Sequence, residues 1–83
     1  MIEVFSAHWC SECAVVKMAL TAAGVDYVER DIDNQDVMIQ AKELGIRGIP
    51  VTRILVDGEV VESVVGASRQ AVNRIVELSQ LKE

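Results

Sequence analysis

The feature that most constrains this chain is a pair of cysteines, Cys10 and Cys13, placed between a strand-like segment and a helix-like segment. Residues 1–5 have the apolar composition of a short strand, and helical spacing of apolar residues begins at Ser11. Two cysteines separated by two residues can close a small disulfide ring. At a strand–helix junction this spacing indicates a redox-active dithiol.

The two cysteines are expected to have different roles. A thiol at a helix N-terminus faces unpaired backbone N–H groups and the positive end of the helix dipole, and both favour the thiolate. Cys10 is therefore predicted to be the attacking sulfur, and Cys13, one turn further in, the resolving thiol. The alternative is a pair of structural thiols. Structural cysteines usually lie in apolar periodic runs, whereas Cys10 lies beside Trp9 at a loop–helix junction.

A metal site is a further alternative, because His8, Cys10 and Cys13 are potential ligands and Glu12 offers a fourth. Zinc sites usually draw a second pair of ligands from elsewhere in the chain, and the sequence contains no other cysteine or histidine. A metal site would then require a dimer. We therefore predict no metal site. We also expect a monomer, and exchange of electrons through a dithiol needs no bound cofactor.

Length, composition and charge narrow the class of protein. The 83 residues suffice for a single domain, which is predicted to cover residues 1–83. Hydrophobic residues make up 51% of the chain and charged residues 25%, a composition typical of a folded protein. The net charge is −5 and the basic residues are scattered, which argues against nucleic acid as a partner. No apolar run reaches the length of a membrane span. The apolar N-terminal segment contains the charged residue Glu3 and lacks the basic residues with which a signal peptide begins, which argues against a signal peptide. We expect a cytoplasmic protein, because disulfides there are usually transient and catalytic.

Periodicity and turn signals predict seven elements in the order β-α-β-α-β-β-α. The four predicted strands cover residues 1–5, 25–30, 51–56 and 60–65. Asp57-Gly58 indicates a two-residue hairpin turn, since both residue types tolerate positive φ. The first β-α-β unit is predicted to be a parallel crossover and the hairpin to be antiparallel. The sequence thus predicts an α/β fold with a four-stranded mixed sheet flanked by helices.

Each predicted helix has an apolar face, and two of them have capping residues. The residues expected to form the apolar face of the first helix are Ala14, Val15, Met18, Ala19 and Ala22. Those of the second are Val37, Ala41 and Leu44, and those of the third are Val72, Ile75, Val76 and Leu78 or Ser79. Asp33 or Asn34 is expected to cap the second helix, and Ser68 the third. Lys82 suits the C-terminus of the third helix.

Arg53 conflicts with the apolar character of its strand, since it lies between Thr52 and Ile54. A fully buried, unpaired guanidinium group is very costly. We therefore predict that one face of the sheet is partly open, so that the Arg53 side chain reaches solvent.

The order of elements, with the dithiol at the first strand–helix junction, resembles the thioredoxin/glutaredoxin superfamily over nearly the whole chain. Trp9-Cys10-x-x-Cys13 resembles the WCxxC motif of thioredoxins, and residues 45–50 resemble the segment that leads into their cis-proline strand. Asp57-Gly58-Glu59-Val60 is similar to their hairpin turn, and Val65-Gly66-Ala67 to their last exposed loop. The resemblance implies a thioredoxin-like fold and thiol–disulfide exchange.

The resemblance also implies a substrate-binding platform around the Cys10 sulfur, formed by Trp9, Ile49, Pro50, Gly66 and Ala67. The indole would be a partly exposed wall, and the Ile49-Pro50 bond would be cis and packed against the dithiol. The implied activity is reduction of protein disulfides. The implied upstream electron donor, which would reduce the dithiol again, is a reductase of the thioredoxin-reductase type or glutathione. The alternatives are a glutaredoxin-like or dedicated electron donor, for example to ribonucleotide reductase, and a metal-binding or non-catalytic interaction module.

The chain departs from both parts of the superfamily. Ser11-Glu12 stands between the cysteines where thioredoxins have Gly-Pro. Their buried aspartate in the strand before the dithiol is replaced by Val4, and its partner lysine corresponds to Glu29. The acidic pair with which glutaredoxins bind glutathione is missing from residues 66–69. The sequence therefore resembles a thioredoxin-type active site on a glutaredoxin-sized chain.

Overall fold

The structure is a computed structural model that describes residues 1–80, and it contains the predicted seven elements in the predicted order. The strands are β1 (Ile2–Ser6), β2 (Val28–Asp31), β3 (Val51–Val56) and β4 (Glu59–Val65). The helices are α1 (Ser11–Ala22), α2 (Gln35–Glu43) and α3 (Arg69–Ser79). Within residues 1–80, none of the helices is long and apolar enough to cross a membrane. Lys82 lies outside the described residues.

The four strands form one mixed sheet in the order β2-β1-β3-β4. The pairing of β1 with β2 is parallel, and the pairings of β1 with β3 and of β3 with β4 are antiparallel. The predicted α/β fold with a four-stranded mixed sheet is therefore confirmed. Because β1 lies between two strands and under helices on both sides, all five of its side chains are buried.

The turn between β3 and β4 is the predicted two-residue hairpin. Asp57 and Gly58 have φ values of 54° and 83°, as the primed hairpin turns require, and Val56 pairs directly with Glu59 across them. Further along the hairpin the register shifts between Ile54 and Leu55. Ile54 pairs with Glu62 and Leu55 with Val60, which leaves one extra residue of β4 in a bulge.

β2 begins three residues later than the predicted strand over residues 25–30, so that boundary was wrong. The chain leaves α1 through Gly24 with a φ of 73°, and the Val25 N–H then donates to the Leu20 carbonyl at 2.9 Å. Val25 therefore completes the C-terminal end of α1 and cannot join the ladder. Parallel pairing starts only at Val28, opposite Glu3.

Two hydrophobic cores lie on opposite faces of the sheet. The larger core, between the sheet and helices α1 and α3, is formed by Ile2, Val4, Val16, Leu20, Ile54, Val64, Ala71 and Ile75. The smaller core, between the sheet and α2, is formed by Phe5, Ala41 and Val51. Val4 and Phe5 belong to different cores because successive side chains of a strand point to opposite faces.

The face that α1 turns toward the core differs from the predicted one. Its buried residues are Cys13, Val16 and Leu20. Of the predicted face, Ala14, Val15, Met18 and Ala22 are exposed and Ala19 is half-buried. Val15 is 48% and Met18 69% exposed. Both faces have apolar residues at three- and four-residue spacing, so periodicity does not distinguish them, and packing of Val16 and Leu20 against the sheet determines which face lies inward.

The predicted helix caps are confirmed. The Asn34 side chain accepts hydrogen bonds from the backbone N–H groups of Asp36 and Val37 at the start of α2. At the start of α3, the Ser68 hydroxyl accepts from the Ala71 N–H at 3.1 Å. Each cap satisfies N–H groups that the helix itself leaves without a partner.

The predicted apolar faces of α2 and α3 are confirmed except at Leu44. Ala41 is buried and Val37 half-buried, whereas Leu44 is exposed because α2 ends one residue before it and the chain turns away at Gly45. Along α3, Ile75 and Ser79 are buried, and Val72, Val76 and Leu78 are half-buried.

Arg53 reaches solvent as predicted, with 17% of its side chain exposed. Its guanidinium Nη1 lies 3.1 Å from Oε1 of Glu3, its cross-strand neighbour, whose side chain is only 5% exposed. Glu3 also accepts a hydrogen bond from Arg30 at 2.8 Å. The guanidinium lies 5.9 Å from the centroid of the Phe5 ring. The acidic partner that makes this position tolerable was not predicted from the sequence.

The orientation of α1 can be tested by a matched pair of truncations. Replacing fully buried Leu20 by alanine should lower the free energy of unfolding by about 2–5 kcal/mol, because it leaves a cavity in the larger core. Replacing Val15 by alanine should change it by less than about 0.5 kcal/mol, as for an exposed side chain. Urea unfolding measures both. A larger loss for Val15→Ala than for Leu20→Ala would contradict the assigned face.

Candidate functional site

The predicted site residues converge at the C-terminal end of β1. This strand leads into the loop that carries Cys10 and then into α1. Val51, the first residue of β3, pairs with both Phe5 and Val65. Pro50, just before Val51, and Gly66, just after Val65, therefore lie at the same end of the sheet as the dithiol. The Gly66 N–H donates to the Pro50 carbonyl at 2.9 Å and ties the two segments together.

Cys10 is the N-cap residue of α1. Its backbone is extended, with φ −98° and ψ 111°, and its N–H donates to the Ala7 carbonyl at 3.1 Å. The Sγ atom accepts a hydrogen bond from the Cys13 N–H at 3.2 Å. This contact holds the sulfur at the N-terminus of α1, against the first turn of the helix. Because Cys10 is only half-buried, its sulfur combines this environment with access from solvent.

Cys13 has the opposite environment, since it is fully buried. Burial, followed by its hydrogen bond with Cys10, raises the pKa of the Cys13 thiol to about 11. A backbone hydrogen bond with Ala7 and the positive charge of Lys17 lower that pKa without cancelling the increase. At neutral pH Cys13 is therefore a protonated thiol that external reagents cannot reach. The two sulfurs thus differ in access, and their assignment as attacking and resolving thiols stays a prediction.

The indole of Trp9 is 62% exposed and is fixed by a polar contact. Its Nε1–H donates to the carboxylate of Asp33, with distances of 3.0 Å to Oδ2 and 3.3 Å to Oδ1. The same carboxylate lies 3.5 Å from Nδ1 of His8. Trp9 is thus an exposed aromatic surface held next to Cys10, and its contact with substrate stays a prediction.

The Ile49-Pro50 peptide bond is cis, as the resemblance implied. Pro50 is fully buried, and Ile49 is half-buried against the smaller core. Gly66 and Ala67 are also half-buried. Because the proline ring is buried, a substrate at this position would contact mainly the backbone of the chain around Pro50. The structure brings these residues to the dithiol end of the sheet, and their role in substrate binding stays a prediction.

A polar cluster that the sequence analysis missed lies between β1, β2 and α1. The Lys17 ammonium donates to Oε2 of Glu29 at 2.7 Å, and the Ser6 hydroxyl donates to the same oxygen at 2.8 Å. The bonds from Lys17 and Ser6 lower the pKa of Glu29, and the bond to Glu29 raises the pKa of Lys17. The available signal was the position of Lys17, one helical turn after Cys13.

The metal ligands considered from the sequence do not come together as a set. Within residues 1–80, the side chains that could share an ion are His8, Asp31 and Asp33, whose ligand atoms lie within 4.8 Å of one another. This group does not include Cys10, Cys13 or Glu12. Its carboxylates already accept hydrogen bonds from Trp9 and from the backbone N–H of Asp33.

Sequence comparisons relate the chain to both branches of one superfamily. Residues 2–61 match the profile of the family described as Glutaredoxin. Chloroplastic thioredoxin F of Oryza sativa subsp. japonica is 37% identical over 74 residues, which cover 84% of this chain and 40% of the rice protein. Thioredoxin H2 of Arabidopsis thaliana is 31% identical over 82 residues, covering 92% of this chain and 59% of the relative. The chain thus spans about two-fifths to three-fifths of the length of these relatives.

Solved structures share the fold over nearly all of the chain. A mutant thioredoxin of Halobacterium salinarum has a TM-score of 0.76 and 25% identity, covering 95% of this chain and 70% of that one. The NrdH-redoxin of Escherichia coli has a TM-score of 0.67 and 25% identity, covering 89% and 92%. That protein is described as glutaredoxin-like with a thioredoxin-like activity profile. These likenesses confirm the thioredoxin-like fold.

The difference between the two sulfurs predicts the order in which they react. A small alkylating reagent at neutral pH should modify Cys10 well before Cys13, because Cys13 is buried and its pKa is about 11. Mass spectrometry of peptides from the reduced native protein measures both rates. Denatured protein is the control, and there the two rates should become similar. Faster labelling of Cys13 in the native protein would reverse the assigned roles.

The contact between Trp9 and Asp33 predicts a fluorescence change. Trp9 is the only tryptophan in the chain, so its emission reports on this site alone. Replacing Asp33 by alanine should free the indole and shorten the decay time of its fluorescence anisotropy. Replacing Asp36, an exposed carboxylate in the first turn of α2, by alanine is the matched control and should leave the decay unchanged. Equal decay times in all three proteins would show that the hydrogen bond does not hold the ring.

Proposed function

The chain belongs to the glutaredoxin family of the thioredoxin/glutaredoxin superfamily, and on that premise we propose that it is a thiol–disulfide oxidoreductase that reduces protein disulfides. The observation that carries the proposal is the asymmetry of the dithiol. The Cys10 sulfur is half-buried at a helix N-terminus, and the Cys13 sulfur is fully buried one turn away. One sulfur can meet an external disulfide, and the other can react only with the first.

The first proposed step is attack by the Cys10 thiolate on one sulfur of a substrate disulfide. A new bond forms between that sulfur and Cys10, the substrate disulfide breaks, and the second substrate sulfur leaves as a thiolate that takes up a proton. The N–H of Cys13, which already points at the Cys10 sulfur, and the helix dipole favour the attacking thiolate.

The second proposed step is attack by Cys13 on the Cys10 sulfur. The bond between Cys10 and the substrate breaks while the Cys10–Cys13 disulfide forms, and the substrate leaves as a thiol carrying the proton that Cys13 lost. The substrate disulfide has then gained two electrons and the dithiol has lost two. Because the pKa of Cys13 is about 11 at rest, loss of its proton is a demanding part of this step.

Substrate recognition is proposed to combine one aromatic wall with backbone pairing. Trp9 presents a fixed, exposed indole beside Cys10, and aromatic side chains of this kind are common in recognition surfaces. An extended substrate segment could pair with the backbone beside Pro50, as a strand adds to the edge of a sheet. Half-buried Gly66 and Ala67 would border the same site.

A protein substrate and a reductase of the thioredoxin-reductase type as electron donor are proposed in preference to glutathione. Residues 66–69 contain no carboxylate, and the Ser68 hydroxyl among them is already engaged as the cap of α3. The likeness to a redoxin described as having a thioredoxin-like activity profile supports the same choice. We further propose that the protein works as a monomer in the cytoplasm, where a reduced dithiol is maintained.

A dedicated electron donor to one enzyme, as considered from the sequence, is the second candidate function. The structural likeness to the NrdH-redoxin of Escherichia coli, which extends over 92% of that chain, favours it. The two candidates share the chemistry of Cys10 and Cys13 and differ only in the range of substrates. Comparison of turnover on several unrelated protein disulfides separates them.

Trapping variants test the proposed function. Cys13→Ser should accumulate mixed disulfides on Cys10, because the resolving thiol is gone, and Cys10→Ser should abolish reduction and trap nothing. Insulin serves as the protein disulfide, and non-reducing electrophoresis with mass spectrometry identifies the linkage. Turnover of the wild-type protein with NADPH and thioredoxin reductase should exceed turnover with glutathione. Faster turnover with glutathione would replace the proposed electron donor, and no mixed disulfide on Cys10 would contradict the function itself.

A further inference from the structure

We propose that Lys17, held in place by Glu29 and Ser6, assists the resolving step by stabilising the anionic sulfur of Cys13. The inference deepens the proposed function, since it assigns a residue to the second of its two steps. It rests on a polar cluster that would otherwise have no evident purpose beside an apolar core.

The positions of the residues place a positive charge on the side of the resolving thiol. Lys17 follows Cys13 by four residues in α1, and side chains at this spacing are neighbours on one helix face. That face packs against the sheet, because Val16 and Leu20 on either side of Lys17 are buried. Cys13 is fully buried, so the interaction of its sulfur with a neighbouring charge is screened less by water than it would be at an exposed site.

The ammonium group is held rather than free. A lysine on an exposed helix face ordinarily extends into solvent, whereas only 20% of the Lys17 side chain is exposed. Its Nζ lies 2.7 Å from Oε2 of Glu29, and that oxygen also accepts from the Ser6 hydroxyl at 2.8 Å. Glu29 pairs with Val4 in the parallel ladder and so turns its side chain to the same face as Ser6, toward α1.

Electrostatics agree with this geometry. The charge of Lys17 lowers the pKa of Cys13 against the effect of burial, and a Cys13 thiolate in turn raises the pKa of Lys17. The other titratable groups that act on the cluster are Cys10 on Cys13, Tyr27 on Lys17, and His8 on Glu29. Lys17 is the one basic side chain among those that act on Cys13.

The assisted step balances without any further reactant. Cys13 loses its proton, and its thiolate attacks the Cys10 sulfur that is bonded to the substrate. The Cys10–Cys13 disulfide forms, the bond from Cys10 to the substrate breaks, and its electron pair leaves on the substrate sulfur, which takes up the proton. Lys17 stays protonated throughout, and its charge stabilises the thiolate only while the negative charge is on Cys13.

The test uses 5,5′-dithiobis(2-nitrobenzoate), a small aromatic disulfide, with the reduced protein. One equivalent releases coloured thiolate in two phases: the first reports attack by Cys10, and the second reports attack by Cys13 on the resulting mixed disulfide. In the Lys17→Met variant the second phase should be about threefold slower at neutral pH, as for a rise of about half a unit in the pKa of Cys13, because Lys17 has the smallest of the effects on that pKa. The first phase should be unchanged.

Two further variants separate charge from structure. Lys17→Arg keeps the positive charge and should restore the rate of the second phase to near that of the wild-type protein. Lys42→Met removes an exposed lysine of α2, on the opposite side of the sheet, and should leave both phases unchanged. The rate of the second phase measured against pH should keep its slope in Lys17→Met but be displaced to higher pH.

The inference is overturned if the second phase of Lys17→Met equals that of the wild-type protein, or if Lys17→Arg is as slow as Lys17→Met. A proportionate slowing of both phases in Lys17→Met would also overturn it, because that result indicates a general disturbance of α1. Because the reagent is not a protein, these outcomes do not depend on the physiological substrate. Failure to reduce insulin with an intact, Lys17-dependent second phase would contradict the proposed function alone.

Discussion

The burial of β1 on both faces is the constraint on which the rest of the structure depends. A strand of five buried residues must be covered from two sides, and α1 with α3 on one side and α2 on the other do so. The same strand pairs in parallel with β2 and in antiparallel fashion with β3. Its C-terminal end therefore meets the segments before β3 and after β4. The place where the dithiol lies is fixed by the same strand that organises both cores.

The details predicted correctly at the level of single residues are mostly those in which a residue acts on its own neighbours. The Asp57-Gly58 turn and the Asn34 and Ser68 caps depend on backbone angles and hydrogen bonds within three residues, so the local sequence suffices. The packed face of α1 was predicted wrongly because this helix is apolar nearly all round. Periodicity identifies a helix of this kind and leaves its rotation open, and contacts with distant strands determine which side is buried.

The candidate site follows the same division. Cys10, Cys13 and Trp9 form one continuous motif, so the candidate dithiol could be identified from the sequence. The members of the polar cluster beside it are far apart along the chain: Ser6 and Glu29 are separated by 23 positions, and Lys17 and Glu29 by 12. Glu3 and Arg53 meet only through the pairing of β1 with β3. Side chains that neutralise one another across a sheet cannot be matched until the strand register is known.

The bulge in β4 alters one of the two edges of the sheet. β2 and β4 are the two edges of the sheet, and an edge offers unpaired N–H and C=O groups to any other strand that approaches. β2 is short and ends in charged residues, which makes it a poor template. β4 is long and has exposed valines, but the extra residue near Val60 interrupts its regular edge and twists it. Such an irregularity makes this part of the edge a poor template for another strand, while the stretch nearest Gly66 stays regular.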